Sequence, residues 1–156
     1  PSLPSGWMGF RSPDRIFGGD YAMGPIIAVD IDRDLALCKA LVGDTKLPAL
    51  PVEKERPKIS SKVAAIGSPL GLIRTVTEGI VSEYRTLNKP KDPTVLQIDA
   101  PINPGNSGGA LVNLEGKLVG VPTLKMSAVG IEGLGFAIDI STVLAFFEEH
   151  NIPFEI

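Results

Sequence analysis

Frequent glycine and proline residues divide this chain into short apolar runs, and this feature limits its possible folds most. Glycine supplies 17 and proline 14 of the 156 residues, a content that favours turns and short strands over long helices. Strand-like patterns occupy residues 25–29, 35–40, 62–66, 76–84, 95–98, 110–112, 117–121 and 134–138. One helix is predicted from about Ser141, with Val143, Leu144 and Phe147 on its apolar face. We therefore expect an all-β barrel or sandwich that ends in a helix.

Charge and composition argue against several classes of function. The 15 Lys and Arg residues against 18 Asp and Glu residues give a net charge of −3. Without a basic block the chain is a poor candidate for binding a nucleic-acid backbone. No apolar run approaches the roughly 18 to 20 residues of a membrane span, so we predict no membrane-spanning segment.

The sequence also predicts no metal and no cofactor. The single cysteine, Cys38, excludes a cysteine-cluster zinc site. Alternating aspartates at 30–34 resemble the start of a calcium-binding EF-hand loop. That loop requires glycine at its sixth place and glutamate at its twelfth, where this chain has Leu35 and Leu41.

The segment 99–110, with the sequence DAPINPGNSGGA, carries the strongest chemical signal. Glycines on both sides of Ser107 let the backbone fold tightly, so that amide N–H groups can converge where an oxyanion would form. An ordinary glycine-rich turn fits the same spacing. The pattern also matches the nucleophile elbow of α/β-hydrolases, but an elbow requires a helix after the serine. Residues 110–121 are instead typical of a strand, a turn and a second strand.

Four segments, in this order, resemble the HtrA/Deg group of trypsin-like serine proteases. They are DRDLAL at 32–37, VAAIGSPLGL at 63–72 with TVTEGIVS at 75–82, the serine segment at 99–123, and GFAI at 135–138. The segments run from residue 32 to residue 138, and with the sequence around them the resemblance covers about residues 25–150. Four ordered segments are far more specific than a single motif.

The resemblance implies a chymotrypsin-like fold built from six-stranded β-barrels. We expect residues 1–45 to form part of a first barrel, and residues 46–156 to form a complete second barrel with a C-terminal helix. The proline-rich segment 48–58 is predicted to connect the two.

The same resemblance assigns catalytic roles to residues of this chain. Ser107 is the expected nucleophile, and Asp34 is the carboxylate that would orient a histidine base. The oxyanion hole would lie at Gly105, Asn106 and Ser107, with the backbone N–H groups of Gly105 and Ser107 as donors. A serine hydroxyl is a weak nucleophile until a base removes its proton, which is why the chemistry needs these residue types together.

Two residues are expected to contact substrate. Ile102, five positions before Ser107, falls where the family lines its primary pocket, which argues for an aliphatic substrate side chain. Packing in the barrel core explains Ile102 nearly as well. Thr123 lies beside the strand on which family substrates pair. Pro122 puts that pairing in question, because proline has no N–H to donate.

The chain departs from the family in its histidine. A trypsin-like triad follows the chain order His, Asp, Ser, whereas the single histidine, His150, lies downstream of both other residues. It falls on the outer face of the predicted helix. Either the catalytic histidine precedes Pro1 in the full protein, which the start on proline favours, or the native first barrel is shortened and has no histidine. In both cases we expect this chain alone to be inactive.

The resemblance implies a serine endopeptidase that cleaves unfolded or extended protein segments in protein quality control. The alternative is a protease-fold module that binds or regulates but does not cleave. Family members commonly form trimers in the cell envelope or in organelles, and they often carry a C-terminal peptide-binding PDZ domain. No such domain is predicted within these 156 residues.

Overall fold

The structure, a computed structural model, describes part of the chain, in two compact units. The described residues are 15–16, 19–20, 22–41, 44, 49–67, 75–86, 94–123 and 134–152. One unit comprises residues 1–29 and 36–48, and the other comprises residues 30–35 and 49–156. The predicted division into a partial first barrel at 1–45 and a second barrel at 46–156 stays a prediction.

Two small sheets account for the described strands before residue 49. β1 (Arg15–Ile16) pairs antiparallel with β2 (Gly19–Asp20). β3 (Ala22–Asp30) forms a two-stranded sheet with β4 (Leu35–Leu41). The sequence showed no sustained pattern before residue 25, because strands of two residues are too short for an alternation of period two to be visible.

Six strands of the larger unit close into a barrel, which confirms the prediction of an all-β fold with a six-stranded barrel. Around the barrel, the strand order is β10-β7-β6-β5-β8-β9, and antiparallel pairing of β9 with β10 closes it. The strands are β5 (Lys62–Gly67), β6 (Thr75–Thr86), β7 (Thr94–Ile98), β8 (Ala110–Asn113), β9 (Leu118–Thr123) and β10 (Gly135–Asp139). Each overlaps its predicted run within about two residues at either end, as boundary assignment allows.

Alternating side chains from these strands fill the barrel. Small and large residues share the interior, as a narrow barrel requires. The core cluster comprises Val63, Ala65, Val81, Leu96, Ile98, Ala100, Leu111, Val119 and Ala137. All five residues of β10 are buried, because the C-terminal helix contacts β9 and β10 from outside.

That helix, α1 (Ile140–Glu149), buries Ile140, Val143 and Phe146. The predicted apolar face was wrong in part, since Phe146 and not Phe147 is the fully buried phenylalanine. The buried positions recur every third residue from Ile140, which the sequence pattern had placed outside the helix. No helix among the described residues is long and apolar enough to cross a membrane.

The predicted connecting segment is attached to the barrel. Leu118 at the start of β9 donates its N–H to Pro51 O at 2.8 Å and accepts from Glu53 N at 2.9 Å. Val52 between them is buried. Residues 51–53 therefore extend the sheet beside β9 by a short parallel bridge.

Candidate active site

Ser107 lies in a tight loop between β7 and β8. Gly105 and Gly108 adopt φ values of 103° and 78°, in the left-handed region that glycine enters without steric cost. Two short-range hydrogen bonds close the loop: Asn106 N donates to Asn103 O, and Gly109 N donates to Asn106 O, each at 3.0 Å. The glycines that flank the serine therefore serve a backbone conformation that other residues would strain.

The serine hydroxyl and two backbone N–H groups of this loop have no hydrogen-bond partner among the described residues. Ser107 Oγ is buried and has no hydrogen-bond partner among the described residues. The Asn106 N–H is occupied by Asn103, which leaves the N–H groups of Gly105 and Ser107 as candidate oxyanion donors. Neither donates to another residue in the described segments. Preorganised backbone N–H groups beside a hydroxyl are what acyl transfer requires.

The serine loop packs closely against the end of β5. A Cβ at Gly109 would lie 2.2 Å from the carbonyl oxygen of Ile66, so only glycine permits this approach. The Asn106 side chain is 1% exposed and packs against Gly67. Its amide oxygen and nitrogen find no hydrogen-bond partner within the described segments.

Contacts with β6 fix the approach to the loop. Asp99 accepts a 2.6 Å hydrogen bond from Ile80 N through Oδ1, and Thr77 Oγ1 donates to Pro101 O at 2.9 Å. Two hydrogen bonds to β6 therefore fix the backbone between β7 and the serine loop.

The end of β9 connects the serine loop to the predicted catalytic aspartate. Gly108, directly after the serine, donates its N–H to Pro122 O at 3.0 Å. The next residue, Thr123, donates its hydroxyl to Asp34 Oδ2 at 2.7 Å. Two successive residues of one strand thus bind the neighbour of Ser107 and the Asp34 carboxylate.

The missing N–H of Pro122 costs the barrel no hydrogen bond to β10. In an antiparallel strand the N–H and C=O of one residue point to the same side. The Pro122 carbonyl points to Gly108, so its nitrogen also points away from β10. Thr123 pairs with Phe136 of β10 at the next position. Pairing of a substrate beside Thr123 stays a prediction.

Asp34 ends a turn, Ile31 to Asp34, and has a φ of 58°, a left-handed conformation that aspartate tolerates better than most residues. The Asp30 carboxylate accepts the backbone N–H of Arg33 at 2.9 Å. The Arg33 guanidinium donates two hydrogen bonds of 2.6 Å to the two carboxylate oxygens of Glu149 on α1. This pairing raises the pKa of Arg33 and lowers the pKa of Glu149 from its ordinary value of 4.5, since each charge stabilises the other.

Ile102 is half-buried and packs against the barrel core. Its side chain lies over Gly135, where an added Cβ would come within 2.7 Å of Ile102 Cγ1. The core-packing explanation of Ile102 is therefore supported, and its contact with a substrate stays a prediction.

Among the described residues, the hydrogen-bond and ring contacts of His150 are with Phe146 and not with the serine loop. The histidine is exposed at the end of α1, its Nδ1 is 2.9 Å from Phe146 O, and its ring centroid is 4.5 Å from that of Phe146. His150 is thus exposed at the surface, as predicted, but it is the C-cap residue of α1, and its ring lies against the buried Phe146 and not on the outer face of the helix.

Sequence reasoning missed a buried polar cluster at the start of α1. Asp139 is fully buried, and its Oδ2 lies 2.7 Å from Arg56 Nε and accepts a hydrogen bond from Ser141. The Arg56 guanidinium also lies 5.4 Å from the ring centroid of Tyr84. Burial and the nearby Asp139 charge raise the pKa of Tyr84 from 10.0 to about 12, despite an opposing effect of Arg56. No group of three potential metal ligands occurs in the segments described.

Comparison with known proteins agrees with this architecture. Residues 12–121 match the family model described as "Trypsin-like peptidase domain". The Do-like serine protease HtrA of Bacillus subtilis is 50% identical over 142 residues, covering 86% of this chain and 32% of that protein. The Do-like serine protease HtrB of the same organism is 37% identical over 136 residues, covering 82% and 30%.

A vertebrate relative gives the same result. The serine protease HTRA1 of Xenopus laevis is 44% identical over 145 residues, covering 88% of this chain and 30% of that protein. The chain spans about a third of the length of these curated relatives. It belongs to the trypsin-like peptidase family, and its relatives there are HtrA- and Do-like serine proteases.

Proposed function

We propose that this chain supplies the serine nucleophile and the aspartate of an HtrA-like serine endopeptidase. The observation that carries the proposal is the end of β9, where Pro122 O binds the residue after Ser107 and the Thr123 hydroxyl binds Asp34. Asp34 lies about 70 residues before Ser107 in the chain, yet both the serine loop and the Asp34 carboxylate bind the end of β9. An ordinary glycine-rich turn would not require such a carboxylate beside it.

In this proposal Ser107 Oγ attacks the carbonyl carbon of a peptide bond while a histidine accepts its proton. Negative charge then develops on the carbonyl oxygen, where the N–H groups of Gly105 and Ser107 stabilise it. Asp34 holds the imidazole in the correct tautomer and stabilises its protonated form. Thr123 holds Asp34 in turn, because its hydroxyl fixes one carboxylate oxygen.

In this proposal the base comes from outside these 156 residues, and the contact of their one histidine, His150, with Phe146 at the end of α1 supports this part. We propose that it lies in native sequence before Pro1, and that this chain alone does not cleave. Relatives about three times as long leave room for such a segment.

The proposed substrates are unfolded or extended segments of other proteins, bound as a strand with an aliphatic side chain near Ile102. An extended segment can offer its backbone N–H and C=O groups to a strand, which a folded substrate cannot. Action outside the cytoplasm and assembly as a trimer are further parts of the proposal and rest on family likeness alone.

A second candidate is a module of the same fold that binds extended segments without cleaving them. The observation that favours it is the buried Ser107 hydroxyl, which has no partner among the described residues. Such a module would retain the fold and lack turnover.

Cleavage of an unfolded protein tests the proposal. The protein would be produced with the native sequence preceding Pro1 and incubated with a reduced, alkylated protein and with the same protein in its native form. We expect cleavage of the unfolded form only, and none by the Ser107→Ala variant. Binding of the unfolded form without cleavage by either protein would favour the second candidate.

A further inference from the structure

We infer that Arg33, anchored by Glu149 of α1, is a positioning residue that holds Asp34 in its orientation. The inference rests on the proposed function and adds a residue pair that acts on the reaction through Asp34. Arg33 directly precedes Asp34, so any restraint on Arg33 acts on the same turn.

Arg33 is held at both its backbone and its side chain. Its backbone N–H donates to Asp30 Oδ1 at 2.9 Å, and its guanidinium lies 3.5 Å from the other oxygen of that carboxylate. The two 2.6 Å hydrogen bonds to Glu149 form a fork-to-fork pair. This arrangement fixes orientation as well as distance, which a single lysine ammonium does not.

The conformation of Asp34 explains why such a restraint matters. A φ of 58° is disfavoured for any residue with a Cβ, and a turn without other support would relax toward negative φ. That rotation would swing the carboxylate away from Thr123. The structure prevents it at two points, through Thr123 at the carboxylate and through Arg33 at the preceding peptide.

The helix itself gives no reason for the position of Glu149. A carboxylate in the last turn of a helix faces the negative end of the helix dipole, which is unfavourable. The neighbouring Glu148 is also exposed on the same turn. Pairing with Arg33, 116 residues away in the chain, therefore accounts for Glu149 better than stabilisation of α1 does.

The test compares Glu149→Gln with Glu148→Gln in the protein that carries its native upstream sequence. Both substitutions remove one carboxylate from the same helical turn, and only the first breaks the fork with Arg33. Arg33→Lys is a second variant, which keeps the charge and loses the bidentate geometry. The measurements are kcat, KM and the pH profile of kcat, together with amide exchange in residues 30–35.

We expect Glu149→Gln to accelerate exchange in the 30–35 turn and to lower kcat about two- to fivefold with little change in KM, the range that loss of a partly exposed ion pair permits. The acidic limb of the pH profile should also move, because Asp34 would orient the base less well. Arg33→Lys should fall between Glu149→Gln and wild type. Glu148→Gln should match wild type.

Equal effects of Glu149→Gln and Glu148→Gln, or an unchanged exchange rate in the turn, would overturn the inference. If the wild-type protein shows no turnover, the proposed function fails while the exchange experiment still decides whether Arg33 and Glu149 hold the turn. A loss of kcat without faster exchange would also contradict positioning through the turn.

Discussion

The Thr123 hydroxyl donates a 2.7 Å hydrogen bond to Asp34 Oδ2, and Thr123 is 4% exposed. The Asp34 carboxylate therefore accepts from a buried donor on β9, and Pro122 of the same strand accepts the N–H of Gly108. A displacement of β9 would disturb the serine loop and the aspartate together, which makes β9 the element on which the proposed site depends.

Thr123→Val should destabilise the protein by about 1–2 kcal/mol, because a hydrogen bond to a partly buried carboxylate is lost while the side-chain volume is kept. Urea unfolding measures this change. Thr123→Ser retains the hydroxyl and should recover most of the difference. Equal losses for the two variants would mean that packing of the threonine methyl, and not the hydrogen bond, is responsible.

Gly109→Ala should destabilise the protein by about 1–3 kcal/mol or more, because the new Cβ would lie 2.2 Å from Ile66 O and force the serine loop away from β5. Gly116→Ala is the control. It has a φ of 76° with nothing within 4 Å of an added Cβ, so it should cost about 1 kcal/mol from backbone strain alone. Thermal unfolding of both variants gives the comparison, and a smaller loss at Gly109 would contradict the close packing described.

Tyr84 should ionise near pH 12, since burial and the nearby Asp139 charge raise its pKa from 10.0 to about 12. The folded state therefore favours the neutral phenol, which also donates to Pro57 O at 2.5 Å. This contribution to stability is fully present below pH 10 and is lost as the pH rises from 10 toward 12. The sequence has two tyrosines, so the 295 nm absorbance titration of wild type minus that of Tyr84→Phe isolates Tyr84. A midpoint near 10 would show that this site is open to water.

His150→Gln should change the stability by less than about 0.5 kcal/mol, as is usual for an exposed residue, and should leave the reactivity of Ser107 unchanged. The reason is that His150 contacts Phe146 at the end of α1. Thermal unfolding and the rate of Ser107 modification, both in the protein extended upstream through its native sequence, provide the two measurements. A loss of reactivity by orders of magnitude would identify His150 as the base.

Local patterns were enough to predict much of the fold. Short apolar runs separated by turn residues located the six barrel strands, because glycine, proline and asparagine mark the places where strands end. The helix was predicted near its true start, with Val143 correctly on the buried face and with Phe147 in place of Phe146. Ile140 directly follows the buried strand β10, so its apolar character could not distinguish the end of the strand from the start of the helix.

Some residues of the candidate site also carry a signal in the sequence, and others do not. The serine loop was singled out because a tight turn requires glycines that are visible in the sequence, and Asp34 was singled out through the family resemblance. Their catalytic roles stay predictions. The ion pairs of Arg33 with Glu149 and of Arg56 with Asp139 were not found. A single charged residue carries no local signal of a partner that only the folded barrel brings near.

Covalent labelling of Ser107 by a fluorophosphonate probe tests the central claim most directly. The probe would be applied to this 156-residue chain, to the protein extended upstream through its native sequence, and to the Ser107→Ala variant of the extended protein. We predict labelling of the extended protein alone, because an activated serine requires a base that these residues do not provide. Absence of labelling in the extended protein, or labelling that persists in the Ser107→Ala variant, would contradict the assignment of Ser107 as the nucleophile.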